Sequence, residues 1–166
     1  EKLAPVEIGH RIVVVDTSAL MQHPELLHGL ISNDILVVPL RALSELDGLK
    51  SSEDETRAAK ARSAIRQLDA NSSRIRHEKD HTALLPAEWD ARESDHAILS
   101  TALFFRLNAV LFVSNDINLR NKAKSLGLNT QDSKSYAPSR LVPAAAAPGI
   151  HSRNQDRRKK SKEMKP

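Results

Sequence analysis

Three short runs constrain the fold more than any other feature of this chain. Arg11–Asp16 reads RIVVVD, Ser32–Pro39 reads SNDILVVP and Ala109–Ser114 reads AVLFVS. Each is continuously apolar where an exposed strand would alternate. Runs of this kind suit parallel strands covered on both faces. Parallel neighbours need crossover connections, and the stretches between the runs carry helical periodicity. The chain therefore reads as an α/β fold with a mainly parallel sheet.

Ser18–Leu30, interrupted by Pro24, predicts a short broken helix. A helix is expected from Leu40 to Asp47, ending at Gly48. A second runs from about Glu53 to Asp69, with Ala58, Ala61, Ile65 and Leu68 on one side and Arg57, Lys60, Arg62 and Arg66 on the others. Residues 71–92 read as a loop, with one short strand near Thr82–Leu85. Ser94 is a good N-cap for a helix to about Leu107, whose buried stripe is Ile98, Leu99, Ala102 and Phe105. Ile117–Leu126 is expected as a helix closed by Gly127, and Asn129–Gln131 as a last strand. There is no internal repeat.

Aromatic residues make up only 3% of the chain, so its core must be aliphatic. There is no Cys, which excludes disulfides, thiolate-ligated zinc, iron–sulfur clusters and a cysteine nucleophile. The seven His are scattered, and zinc is not indicated. The longest apolar runs fall far short of the ~20 residues that a membrane helix needs. No secretory leader is visible, so a cytoplasmic location is expected, or a nuclear one in a eukaryote. The first residue is Glu1, which suggests a fragment of a longer protein.

The formal net charge is +4, but it is unevenly spread. From His151 to Pro166 seven Lys or Arg face only Asp156 and Glu163. The basic character thus belongs to the tail, and the body before it is close to neutral. Residues 1–136 read as one domain and 137–166 as a disordered basic tail containing Pro and Ala.

Carboxylates fall where such a fold builds its sites. Asp16 follows the first apolar run and Asp116 ends the third. Asp95 opens a helix, and Glu45 lies in the helix after the second run. In a parallel sheet the strand-end acids share one edge, and the helix-borne pair can reach it. Singly, each has an ordinary role as helix cap, first-turn acid or solvated surface. Together, four converging carboxylates repel one another unless a cation lies among them. Oxygen ligands select hard ions, Mg²⁺ or Mn²⁺, which bind phosphate oxygens and activate water.

These motifs resemble those of the PIN domain, the nuclease family named after the PilT N-terminus. The resemblance covers about Arg11 to Asp132. VVVDTSAL is similar to its opening motif, VVPLRALSELDGL to the segment bearing its second acid, ESDHAILSTAL to its third motif and LFVSNDINLRNKA to its fourth. SELDGLK, the Arg-rich helix after it and NDINLR look most like two subgroups, the PIN domain of the metazoan nonsense-mediated-decay endonuclease and that of PhoH-fused proteins. Two departures stand out: Ser18 replaces a frequent Asn, and His96 stands where some relatives carry another acid. The bare hydroxyl of Ser18 is expected to support the first acid less well.

The resemblance implies a three-layer PIN-like fold with helices flanking the sheet. It implies that Asp16, Glu45, Asp95 and Asp116 hold Mg²⁺ or Mn²⁺ and carry catalysis. Thr17, Ser114 and Asn115 would orient them, and Arg120 would contact substrate phosphate. The implied activity is an endoribonuclease acting on single-stranded RNA and leaving 5′-phosphate and 3′-hydroxyl ends. The alternatives are a non-catalytic PIN module that binds RNA or protein, and a toxin-type ribonuclease held by an antitoxin. A homodimer, a larger parent protein or a protein partner fits the family; a membrane does not. A dehalogenase-like phosphatase would need an acid where Ser18 stands. Asp47 points to another helix face, about 200° from Glu45, and reads as structural, capping or pairing with an Arg of the next helix. The stretch Arg57, Lys60, Arg62, Arg66, Arg74 and Arg76 offers a rim for nucleic-acid backbone. Trp89 reads as packing against the body.

A chain ending just after Tyr136 is therefore expected to stay folded. Its binding to single-stranded RNA should weaken, and the log–log salt slope should flatten by about 0.7 for each lost phosphate contact. Titrations at several salt concentrations check this. An unchanged slope marks the tail as inert, and a collapsed thermal midpoint places the domain boundary later.

Overall fold

The apolar runs become the inner strands of one sheet. The structure is a computed structural model that describes residues 10–27 and 34–136. Its strands are β1 (Arg11–Val15), β2 (Asp34–Pro39), β3 (Ile75–Glu78), β4 (Ala109–Val113) and β5 (Asn129–Gln131). They lie in the order β3-β2-β1-β4-β5, and every neighbouring pair is parallel. Ile12–Val15, Leu36–Val38 and Val110–Val113 are buried along their whole lengths. Two covered faces explain why these strands do not alternate.

The helices are α1 (Thr17–Gln22), α2 (Leu40–Leu49), α3 (Glu55–Ala70), α4 (Ser94–Phe104) and α5 (Ile117–Ser125). Starting at β1, the chain winds outward to β2 and β3, then returns to place β4 on the other flank of β1. The strand order thus reverses between β1 and β4. In open parallel sheets that reversal opens a crevice at the carboxyl edge, where ligands bind. Register fixes what lies there. Val15 pairs with Val113, so the residues that follow, Asp16 and Ser114, emerge side by side.

Burial of an aliphatic side chain contributes roughly 1.5–3 kcal/mol, and the core is almost wholly of this kind. It is filled by Val, Ile, Leu and Ala, with Phe105, Phe112 and Tyr136 as its large rings. Tyr136 is fully buried, and its hydroxyl donates to Asp34 Oδ2 at 3.3 Å. Asp34 also receives the Arg11 guanidinium in a two-point pair across the amino edge of the sheet.

Several local expectations are corrected. Residues 71–92 are not merely loop, because 75–78 form the edge strand β3. Its sequence, IRHE, is polar and only half-buried, as befits an edge. No apolar run announced it. Thr82–Leu84 is a 3₁₀ turn rather than a strand. Helix α2 continues through Gly48 to Leu49 rather than ending at the glycine. Helix α4 stops at Phe104, and its cap is Glu93 rather than Ser94. It is buried on every side from His96 to Leu103, not along one stripe. Its buried hydroxyls are satisfied: Ser100 donates to Ala97 O, and Thr101 to Lys79 O. Gly127 does adopt the left-handed conformation after α5, with φ of 80°. The expected start of β2 at Ser32 and the tail beyond Tyr136 lie outside the described residues. Among the described residues no helix is long and apolar enough to cross a membrane.

Candidate active site

The strand-end acids play both of the roles the sequence offered. Asp16 is the N-cap of α1, accepting Ala19 N–H at 2.9 Å. Asp116 is the N-cap of α5, accepting Asn118 and Leu119 N–H. Capping fixes each carboxylate at a strand–helix junction. Glu45 reaches the same place from the middle of α2, and Asp95 from the first turn of α4. All four carboxylates line one open cleft of about 430 Å³, together with Thr17 and Ser18.

Hydroxyls hold the two inner acids. Ser114 donates to Asp16 Oδ2 at 2.6 Å, while its oxygen accepts Asp116 N–H at 3.0 Å. One side chain thereby ties the ends of β1 and β4 together. Ser18 donates to the Asp16 carboxylate at 2.9 Å and accepts Asn115 N–H at 3.0 Å. Its support is thus fuller than the departure from Asn suggested. Glu45 is gripped on both oxygens, by Thr17 on Oε2 and by Ser94 on Oε1.

Not every expected residue reaches the cleft. Asn115 turns away: its side-chain oxygen accepts from Ser133 N–H and hydroxyl, and Ser133 in turn meets His23 Nδ1 at 2.5 Å. It steadies the end of β4 from behind. Arg120 donates to Ser114 O at 2.6 Å and does not line the cleft. Asp47 is exposed and pairs with Lys50 on its own helix, not with an Arg of the next one. Trp89 packs against the His96 ring at 4.6 Å between centroids. His77 and His81 stand four apart but are taken by Val38 O and by Glu78. One contributor was missed. Ser94 looked like a cap, and only the tertiary approach of α2 to α4 shows it to be a Glu45 donor. Arg57 lines the cleft from α3, but nothing in the sequence separated it from its basic neighbours.

The electrostatics are those of crowded acids. Burial pushes the Asp16 carboxyl up to about 6; bonds from Ser114, Ala19 and Ser18 oppose this, and the Glu45 charge adds to it. Asp95 is also raised, first by burial and then by Asp116 and Glu45, with Lys122 working the other way. Lys122 stands 3.9 Å from Asp95 and is shared with Glu93. Among the described residues no group of three His, Asp or Glu is gathered tightly enough to hold a metal ion as it stands. The four carboxylates share a cleft and feel one another's charge, yet they do not form a closed cage. Oxygen donors of this kind are those that hard divalent cations take.

Similarity to known sequences shows which family builds this cleft of acids at the switch point of a parallel sheet. A family profile described as PIN domain matches residues 13–134. This chain belongs to the PIN-domain family, whose members are commonly nucleases. Protein PhoH2 of Thermobispora bispora is 30% identical over 142 residues, which cover 74% of this chain and 31% of that protein. Transcriptional protein swt1 of Schizosaccharomyces pombe is 31% identical over 126 residues, covering 68% of this chain and 26% of that protein. The chain thus spans less than a third of the length of these curated relatives. The PIN domain of human SMG5 shares the fold at a TM-score of 0.50 and 21% identity, covering 77% of this chain and 97% of that one. A domain of a functionally unknown protein from Methanocaldococcus jannaschii does so at 0.52 and 17%, covering 73% and 89%.

The raised Asp16 carboxyl has a consequence for stability. The folded state keeps a proton that the unfolded state has already released above about pH 4. Stability is therefore full below that pH and declines as pH rises through about 6. In EDTA, Asp16→Asn should gain on the wild type between pH 4 and pH 7, by about 2 kcal/mol. Thermal midpoints at the two pH values check this. A difference between the two proteins that does not change with pH would show that Asp16 is not forced to ionise in a desolvated site.

Proposed function

We propose that this chain is the Mg²⁺- or Mn²⁺-dependent endoribonuclease domain of a larger protein and hydrolyses phosphodiester bonds of single-stranded RNA. The observation that carries this reading is the convergence of Asp16, Glu45, Asp95 and Asp116 from four elements into one cleft. Membership of a family of nucleases supports it. So does the donor chemistry, which is all hard oxygen.

Asp16, Glu45, Asp95 and Asp116 would hold the cation. When bound, it supplies charge neutralisation at the phosphodiester and activation of water. The remaining work falls to the chain itself. Thr17 and Ser94 fix Glu45 in one rotamer, and Ser18 and Ser114 fix Asp16, so neither acid must be ordered when substrate arrives. Asp116 is exposed and Asp95 half-buried at the cleft. A flexible single strand can enter the open cleft, whereas a duplex is stiffer and wider. Binding through the phosphate backbone needs cationic groups beside the acids, which would otherwise repel RNA.

The experiment is cleavage of a labelled single-stranded RNA with Mg²⁺ or Mn²⁺ present, set against EDTA and against the same RNA as a duplex. The single strand should be cut and the duplex should be cut far more slowly. Asp16→Asn should abolish cleavage, and Asp47→Asn should reduce it less than about twofold. Equal losses at Asp16 and Asp47 would overturn the site. No metal-dependent cleavage by a folded protein would favour a non-catalytic module that binds RNA or protein.

A further inference from the structure

We infer that Arg57, with Lys60 one helical turn on, is the docking point for substrate backbone phosphates and directs the strand over the junction of α1 and α3. This deepens the nuclease reading and rests on it. An acidic cleft that takes a polyanion needs uncommitted positive charge at its edge, and most cations of this domain are committed. Arg62 is held by Glu55 and Lys50 O, Arg76 by Glu78 and the Phe105 ring, and Arg41 by Asp80. Arg120 is bound to Ser114 O, and Lys122 to Glu93 and Asp95. Of the six basic residues that the sequence offered as a rim, only Arg57 lines the acid cleft.

Arg57 also belongs to a second hollow. Beside the acid cleft lies a space of about 340 Å³, lined by Gln22, Thr56 and Lys60 among others. Ser18, Met21 and Arg57 line both spaces, so the two adjoin, with Asp16 in the first and Lys60 in the second. Arg57 and Lys60 are exposed and three apart on α3, hence neighbours on one face of the helix. Among the described residues neither side chain forms an ion pair. Asp54 is the acid in this second hollow, and its carboxylate is turned to the Arg57 N–H as the cap of α3. A guanidinium there can take two oxygens of one phosphate, and the ammonium three residues on can take a neighbouring one. The scissile phosphodiester would then lie over the acids, next to the phosphate on Arg57.

The test uses the same chain with Arg57→Ala, Lys60→Ala and, as a control of equal charge change, Arg106→Ala. Arg106 lies before β4 and so at the opposite edge of the sheet. The probe is a short single-stranded RNA and a set of copies, each with one neutral methylphosphonate linkage. For Arg57→Ala the KM should rise about tenfold, with kcat within about twofold. The log–log salt slope of binding should fall by about 0.7 for each of Arg57→Ala and Lys60→Ala. A methylphosphonate one linkage from the cut should weaken wild-type binding but have no further effect on Arg57→Ala, and Arg106→Ala should behave as wild type. If the wild type cuts RNA and Arg57→Ala keeps its KM and slope, or loses no more than Arg106→Ala, the docking point is overturned while the nuclease reading stands. If the wild type neither binds nor cuts single-stranded RNA, both fall.

Discussion

The parallel pairing of β1 with β4 is the constraint on which the rest of the site depends. It sets two strand ends beside each other where the winding of the sheet reverses, and it carries Asp16 and Ser114 out at the same level. Asp16 N–H continues the ladder to Val113 O at 3.1 Å, and Ser114 N–H continues it to Gln131 O at 3.0 Å. The Ser114 hydroxyl then spans from the Asp16 carboxylate to the Asp116 amide. A slip of one residue would part Asp16 from Ser114 and undo this bridge.

The arrangement stores unfavourable charge. Asp16 is buried in the core's upper layer, and its own helix cap holds it there. Helix capping and hydroxyl donors offset part of the desolvation, but the carboxyl still stands near 6. A fold optimised for stability alone would place Asn or Ser at this cap. The grip on Glu45 by Thr17 and Ser94 likewise fixes a charge beside other charges. Such features are what the proposed cation and phosphodiester would explain. In the proposed docking, Arg57 at the cleft and Lys60 in the hollow beside it provide the complementary sign.

Much of this was legible in the sequence because it depends on strong local signals. Three continuous apolar runs gave the inner strands, and the acids directly after two of them gave the strand-end half of the site. Asp47 was separable from Glu45 by helix geometry alone. What was not legible depended on tertiary approach. Strand β3 is a polar edge strand, so the period of its residues carries little burial signal. Ser94 has the residue type of a cap, and only the packing of α2 near α4 turns its hydroxyl to Glu45. Arg120 and Asn115 have the spacing of site residues but are spent on backbone and on Ser133. Arg57 is one of six similar cations, and which of them remain uncommitted is decided by partners distant in sequence.

The central claim is that acids contributed by four elements bind divalent cation in one cleft. Mn²⁺ titrated into isotope-labelled protein, followed by paramagnetic broadening of backbone amides, tests it without relying on catalysis. Broadening at low Mn²⁺ should begin together around residues 16–18, 45, 94–96 and 114–116, and should vanish in Asp16→Asn. Broadening centred elsewhere, or unchanged in Asp16→Asn, would contradict it.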